Sequence, residues 1–111
     1  ANIVRNKIDG YMDGIAPAEV HQMLEEKRDF TFLDVRSPQE YEQVRLPGST
    51  LIPLGSLRGR LGELPKEKEV VTFCKISLRG YEAALILKAA GFNNVRVMDG
   101  GVAMWPFPKL V

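Results

Sequence analysis

The chain has one cysteine, one histidine and one tryptophan in 111 residues. A lone cysteine makes no internal disulfide, and Cys74 with His21 is too small a set for a four-ligand metal site. No metal is therefore expected. Lys and Arg number 15 against 14 Asp and Glu, a formal charge of +1. With no basic block, nucleic acid and anionic membrane have no compositional support as partners. No apolar run approaches the roughly 20 residues of a membrane span, and the start carries no secretory pattern. There is no internal repeat and no low-complexity tract. The length fits one domain with a modest core, and the cysteine usage fits a reducing, cytoplasmic setting.

What is present is an alternation of strand-like and helix-like segments. Residues 1–14 read as a lead-in, with Ile3, Val4, Ile8, Tyr11 and Met12 scattered among polar positions. Pro17 opens a helix that runs to Lys27, with Val20, Met23 and Leu24 at helical spacing. Phe30–Val35 is apolar nearly throughout, as a strand covered on both faces should be. Ser37, Pro38 and Glu40 spell a helix start: cap, first-turn proline and capping-box acid. Leu46-Pro47-Gly48 is a turn, and Ser49–Ile52 a short strand closed by Pro53. Ser56–Leu64 reads as an irregular helix weakened by Gly59 and Gly62. Val70–Phe73 is a further strand, Tyr81–Lys88 a helix stopped at Gly91, and Val95–Met98 the last strand. The pattern predicts an α/β fold, with a mostly parallel central sheet of about five strands and helices on both faces.

Cys74 falls where the strand Val70–Phe73 hands over to the next helix, the edge of a parallel sheet where ligands bind. The loop reads Cys74-Lys75-Ile76-Ser77-Leu78-Arg79-Gly80. Helix-start N–H groups, with Lys75 and Arg79, would hold an anion there and favour a thiolate. A cysteine ending a buried strand can equally be a small packed hydrophobe. Arg79 could hold an anionic donor or merely pair with a carboxylate, and Lys75 and Ser77 could touch substrate or only solvent. Asp34 and Arg36 read as support for the loop: the aspartate binding turn N–H groups, the arginine pairing with Glu40. His21 reads as surface. Trp105 and Phe107, among prolines, read as a surface cover or a tail, or, in a multidomain enzyme, as a docking segment.

These residues resemble a rhodanese (sulfurtransferase) domain over 15–105, with 106–111 as a C-terminal tail. The resemblance is carried by Asp34-Val35-Arg36 with Glu40-Tyr41, Leu46-Pro47-Gly48-Ser49 with Ile52-Pro53, the loop Cys74–Arg79, Gly91-Phe92 with Val95, and Asp99-Gly100-Gly101 before Trp105. It implies a rhodanese-like fold and sulfur transfer through a persulfide on Cys74, with Lys75, Ile76, Ser77, Leu78 and Arg79 as the substrate loop. A sulfane donor such as polysulfide, thiosulfate or a small persulfide would supply the sulfur, and a thiol or other nucleophile would accept it. The opening Ala1–Asn6 and the loop further resemble the C-terminal rhodanese domain of coenzyme A-disulfide reductase-like flavoproteins. The lead-in would then be the tail of a covalently linked reductase body. No Rossmann glycine fingerprint or second redox cysteine is present, so the domain itself needs no cofactor. FAD, NAD(P)H and coenzyme A would belong to the full-length protein. The chain departs from the family in having Arg45 where a histidine is common before the turn, and Lys75 and Ser77 where arginine and glycine are common. Those changes count against thiosulfate as the natural donor.

Two other readings stay open. Cysteine-dependent phosphatases and arsenate reductases of the related fold place arginine six positions after cysteine, whereas Arg79 comes five after Cys74. Non-catalytic binding modules of the family usually lack the cysteine.

Overall fold

The computed structural model describes residues 13–111; the sequence readings at residues 1–12 lie outside the described residues. Five parallel strands form one sheet: β1 (Asp13–Ile15), β2 (Thr31–Asp34), β3 (Thr50–Leu51), β4 (Val70–Phe73) and β5 (Val95–Met98), in the order β1-β5-β4-β2-β3. Among the described residues the helices are α1 (Pro17–Glu25), α2 (Pro38–Gln43) and α3 (Leu78–Ala89).

β4 lies at the centre, and all four of its residues are buried. That is why its sequence is apolar in both parities, with Thr72 as the exception. Thr72 pays for its burial with a 2.7 Å hydrogen bond from its hydroxyl to the Gly80 carbonyl, which ties strand to helix. On one face, Ala83, Ala84 and Leu87 of α3 pack with Leu33, Val70, Val95 and Val97. On the other, Val20 and Met23 of α1 pack with Phe32, Val71, Phe73 and Met98. α3 sits directly on β4: a Cβ on Gly80 would stand 3.1 Å from the Phe73 Cα.

Several local expectations change. The segment read as an irregular helix is two 3₁₀ turns, Leu54–Ser56 and Arg58–Glu63, because its glycines favour no long helix. β1 begins inside the segment read as lead-in; its three residues are too few to show an alternation. The third helix starts at Leu78 rather than Tyr81, which moves Leu78 and Arg79 from the loop into its first turn. Trp105 is no surface cover: it is buried in the α1 face of the core. Its ring, with Phe107, also corrects the reading of His21, which is half-buried and stacks on Phe107 at 3.8 Å. Leu110 exchanges backbone hydrogen bonds with Arg45, so the last residues lie back on the domain. Among the described residues no helix is long and apolar enough to cross a membrane.

Candidate active site

Cys74 stands one residue past β4, at the carboxyl edge of the sheet, and is 2 % exposed. Its surroundings are built from three directions. Behind it, the tight turn at Gly100 and Gly101 leads into a 3₁₀ turn, Gly101–Met104. Val102 N–H donates to the Cys74 carbonyl at 2.9 Å, and Ala103 N–H donates to the Lys75 carbonyl at 2.9 Å. A Cβ on Gly101 would stand 2.3 Å from the Cys74 oxygen and 2.6 Å from the Ile76 oxygen. The carbonyls of Cys74 and Ile76 lie against Gly101, and that of Lys75 against Ala103, so three successive carbonyls face this turn. In a trans peptide the following N–H points the opposite way, so the N–H groups of Lys75, Ile76 and Ser77 turn away from that support. A concave row of N–H groups of this kind suits an anion.

Ahead of the cysteine is the start of α3. Ser77 is its N-cap but its side chain accepts no capping hydrogen bond. Tyr81 N–H bonds to the Ser77 carbonyl at 2.9 Å, leaving the N–H groups of the turn before it for a ligand. Lys75, Ile76 and Leu78 are exposed, the last two at 63 % and 70 %, while Ser77 is half-buried.

The third direction is the carboxyl edge of β2. Asp34 and Arg36 are both buried and form a forked pair, with Arg36 Nη2 2.8 Å from Asp34 Oδ2 and Nε 3.0 Å from Oδ1. Asp34 also accepts the Arg36 backbone N–H at 2.9 Å, as expected of a strand-end aspartate. The expected pairing of Arg36 with Glu40 does not occur. Arg36 is turned inward, where Asp34 and the Val44 carbonyl at 2.7 Å satisfy it, because a buried guanidinium needs a buried carboxylate.

Glu40 instead reaches across the site. Its oxygens accept from Arg79 Nη1 at 2.7 Å and Nη2 at 3.1 Å. The capping box with Ser37 fixes its position: Ser37 N–H donates to Glu40 Oε1 at 3.0 Å, and Glu40 N–H donates to Ser37 Oγ at 3.2 Å. The Arg79 hydrogen bond, helped by those of Ser37, holds the Glu40 carboxyl well below its ordinary 4.5, at about 2. Arg79 is raised above its ordinary value, first by that same bond and more weakly by Cys74. Cys74 and Arg79 were named from the sequence; what the local reading missed is that Glu40, seen there as a capping acid and as the partner of Arg36, pairs with Arg79.

Among the described residues no group of three or more His, Cys, Asp or Glu side chains could hold a metal. The loop between Cys74 and Arg79 has no glycine, so it offers no close-approach turn of the kind that cradles a dinucleotide. An open groove of about 660 Å³ lies elsewhere, between Leu54–Leu61 and the outer side of α3 at Leu85 and Ala89. It does not include the cysteine.

A family model described as a rhodanese-like domain matches residues 16–106. A sulfurtransferase of Allochromatium vinosum is 31% identical over 84 residues, covering 76% of this chain and 78% of that protein. The probable adenylyltransferase/sulfurtransferase MoeZ of Mycobacterium tuberculosis is 33% identical over 93 residues, 82% of this chain but 24% of its own length. Among solved structures, the reduced CoADR-RHD of Bacillus anthracis superposes with a TM-score of 0.83 at 35% identity, covering 94% of this chain and 18% of that one. A NAD-dependent persulfide reductase from A. fulgidus gives 0.72 at 41% identity, again 94% and 18%. The chain thus spans under a quarter of several of the proteins it resembles.

Proposed function

The chain belongs to the rhodanese-like family, and from that premise we propose that Cys74 carries a sulfane sulfur as a persulfide. The domain is of the sulfurtransferase type, as its relatives' names state. The observation that carries the proposal is the loop itself: one thiol at the sheet edge, carbonyls turned back onto Gly101, N–H groups turned the other way, and Arg79 beside it.

In the first step the Cys74 thiolate attacks the outer sulfur of the donor. The donor's S–S bond, or its sulfonyl–sulfur bond, breaks, and the leaving group departs with the electron pair. In the second step an acceptor such as a small thiol, sulfite or cyanide attacks the terminal sulfur, and the Cys74 thiolate leaves with its pair. A thiolate needs no general base, which suits a loop, Cys74 to Arg79, that carries no histidine; His21 stacks on Phe107 instead. The expected kinetics are ping-pong.

The donor is a polysulfide, thiosulfate or low-molecular-weight persulfide, and the acceptor a thiol, with coenzyme A a candidate for either. The setting is cytoplasmic, and the domain is part of a larger FAD- and NAD(P)H-dependent disulfide or polysulfide reductase; similarity to the CoADR-RHD and to a NAD-dependent persulfide reductase supports the linked reductase. Those cofactors would be held by the reductase body. The test is intact mass. After exposure of the reduced, folded domain to the donor panel, one sulfur atom should be gained, and Cys74→Ser should gain none. Absence of any adduct across the panel contradicts the proposal.

A further inference from the structure

The loop has two cationic side chains, and they are not equivalent. Lys75 is exposed. Arg79 has both terminal nitrogens engaged by the Glu40 carboxylate, 2.7 Å and 3.1 Å away. The carboxylate comes from a helix 39 residues earlier in the chain and is locked by the Ser37 capping box. A guanidinium paired in this way keeps its place and its remaining N–H donors, but its charge is largely cancelled for anything arriving from solvent. The rim beside it is apolar: Ile76 and Leu78 are exposed on the loop, and Met104, 64 % exposed, on the turn that supports it. A small dianion would meet the exposed Lys75, an apolar rim and a fixed carboxylate.

We propose that Glu40 is the residue that sets the charge of the donor accepted at Cys74: by pairing Arg79 it favours singly charged, apolar-bodied sulfane donors over the dianion. The inference rests on the sulfur-transfer reading above. Thiosulfate and benzenethiosulfonate make a matched pair for it. The first carries two negative charges and the second one, with an aromatic body, and both give up a sulfane sulfur from a sulfonyl centre. With thiosulfate, thiolate and dianion become the Cys74 persulfide anion and sulfite. With benzenethiosulfonate, thiolate and monoanion become the same persulfide and benzenesulfinate. Both steps balance in atoms and charge.

The experiment measures the second-order rate of Cys74 persulfide formation with each donor in the wild-type chain and three variants. Glutamine serves in a capping box as glutamate does, so Glu40→Gln keeps α2 capped while freeing the charge of Arg79. The ratio of thiosulfate to benzenethiosulfonate rates should rise about tenfold, the effect of one unit of charge in a half-exposed site, and its salt dependence should steepen. Arg79→Gln, which leaves the Glu40 carboxylate uncompensated, should lower the ratio. The double variant should return it to within about twofold to threefold of the wild type. Equal loss with both donors in Glu40→Gln, the result of a merely structural role, overturns the proposal; so does a ratio that ignores all three substitutions. No persulfide on the wild-type chain with either donor overturns the sulfur-transfer reading, and this inference with it.

Discussion

A methyl group on Gly101 would stand 2.3 Å from the Cys74 carbonyl oxygen, at a backbone φ of +58°. Only glycine meets both demands, the left-handed backbone and the close approach. Gly101→Ala should therefore cost about 2 kcal/mol and lower the Tm by roughly 10 °C, from strain plus displacement of the loop. Persulfide formation should slow at least about tenfold below the melting range, since misplacing a nucleophile is costly. Calorimetry and stopped reaction with mass detection read the two effects; an unchanged Tm with an unchanged rate would show that Gly101 does not hold the loop. Asp34 and Arg36 act at the same scale but more indirectly. Their buried fork anchors the edge of β2 from which Ser37 and Glu40 project.

At the scale of elements, α2 and α3 are joined across the site by the Glu40–Arg79 pair, with the side chains 29% and 36% exposed. The Glu40 carboxyl falls from an ordinary 4.5 to about 2 on folding, chiefly through Arg79. A depressed carboxyl contributes stability that is complete above its unfolded value and lost as pH falls through its folded one. The window is thus pH 4.5 down to about 2. Solvent screening of so exposed a pair reduces the contribution to about 1 kcal/mol. Denaturant melts from pH 6 to pH 2 should show the wild type losing that margin over Glu40→Gln, with the two converging at the acid end. Parallel curves would mean the pair contributes nothing to stability. Element identity was legible in the sequence wherever the signal was local: the Ser37–Glu40 capping box, the apolar run of β4, the stop at Gly91. The partner of Glu40 was not. Arg36, four residues away, satisfied a neighbour rule, whereas Arg79 reaches Glu40 only because β2 and β4 lie side by side.

At the scale of the whole molecule, the sheet order β1-β5-β4-β2-β3 puts β4 at the centre and its carboxyl end between the ends of β2 and β5. Asp34 ends β2, Cys74 follows β4 and the Gly100–Gly101 turn follows β5, and this is how segments far apart in sequence come to surround one thiol. The sequence motifs named these segments, and topology explains why they meet. Burial of Trp105 was hidden by its prolines, which mark turns as readily within a core-covering strap as in a tail. The Cys74 persulfide is the claim on which the rest depends, and a half-reaction tests it most directly. The domain is loaded with sulfur, freed of donor by gel filtration and mixed with cyanide alone. The account predicts close to one thiocyanate per domain, a mass returned to that of the thiol, and neither with Cys74→Ser. Loaded protein that releases no sulfur, or a serine variant that releases as much, would contradict it.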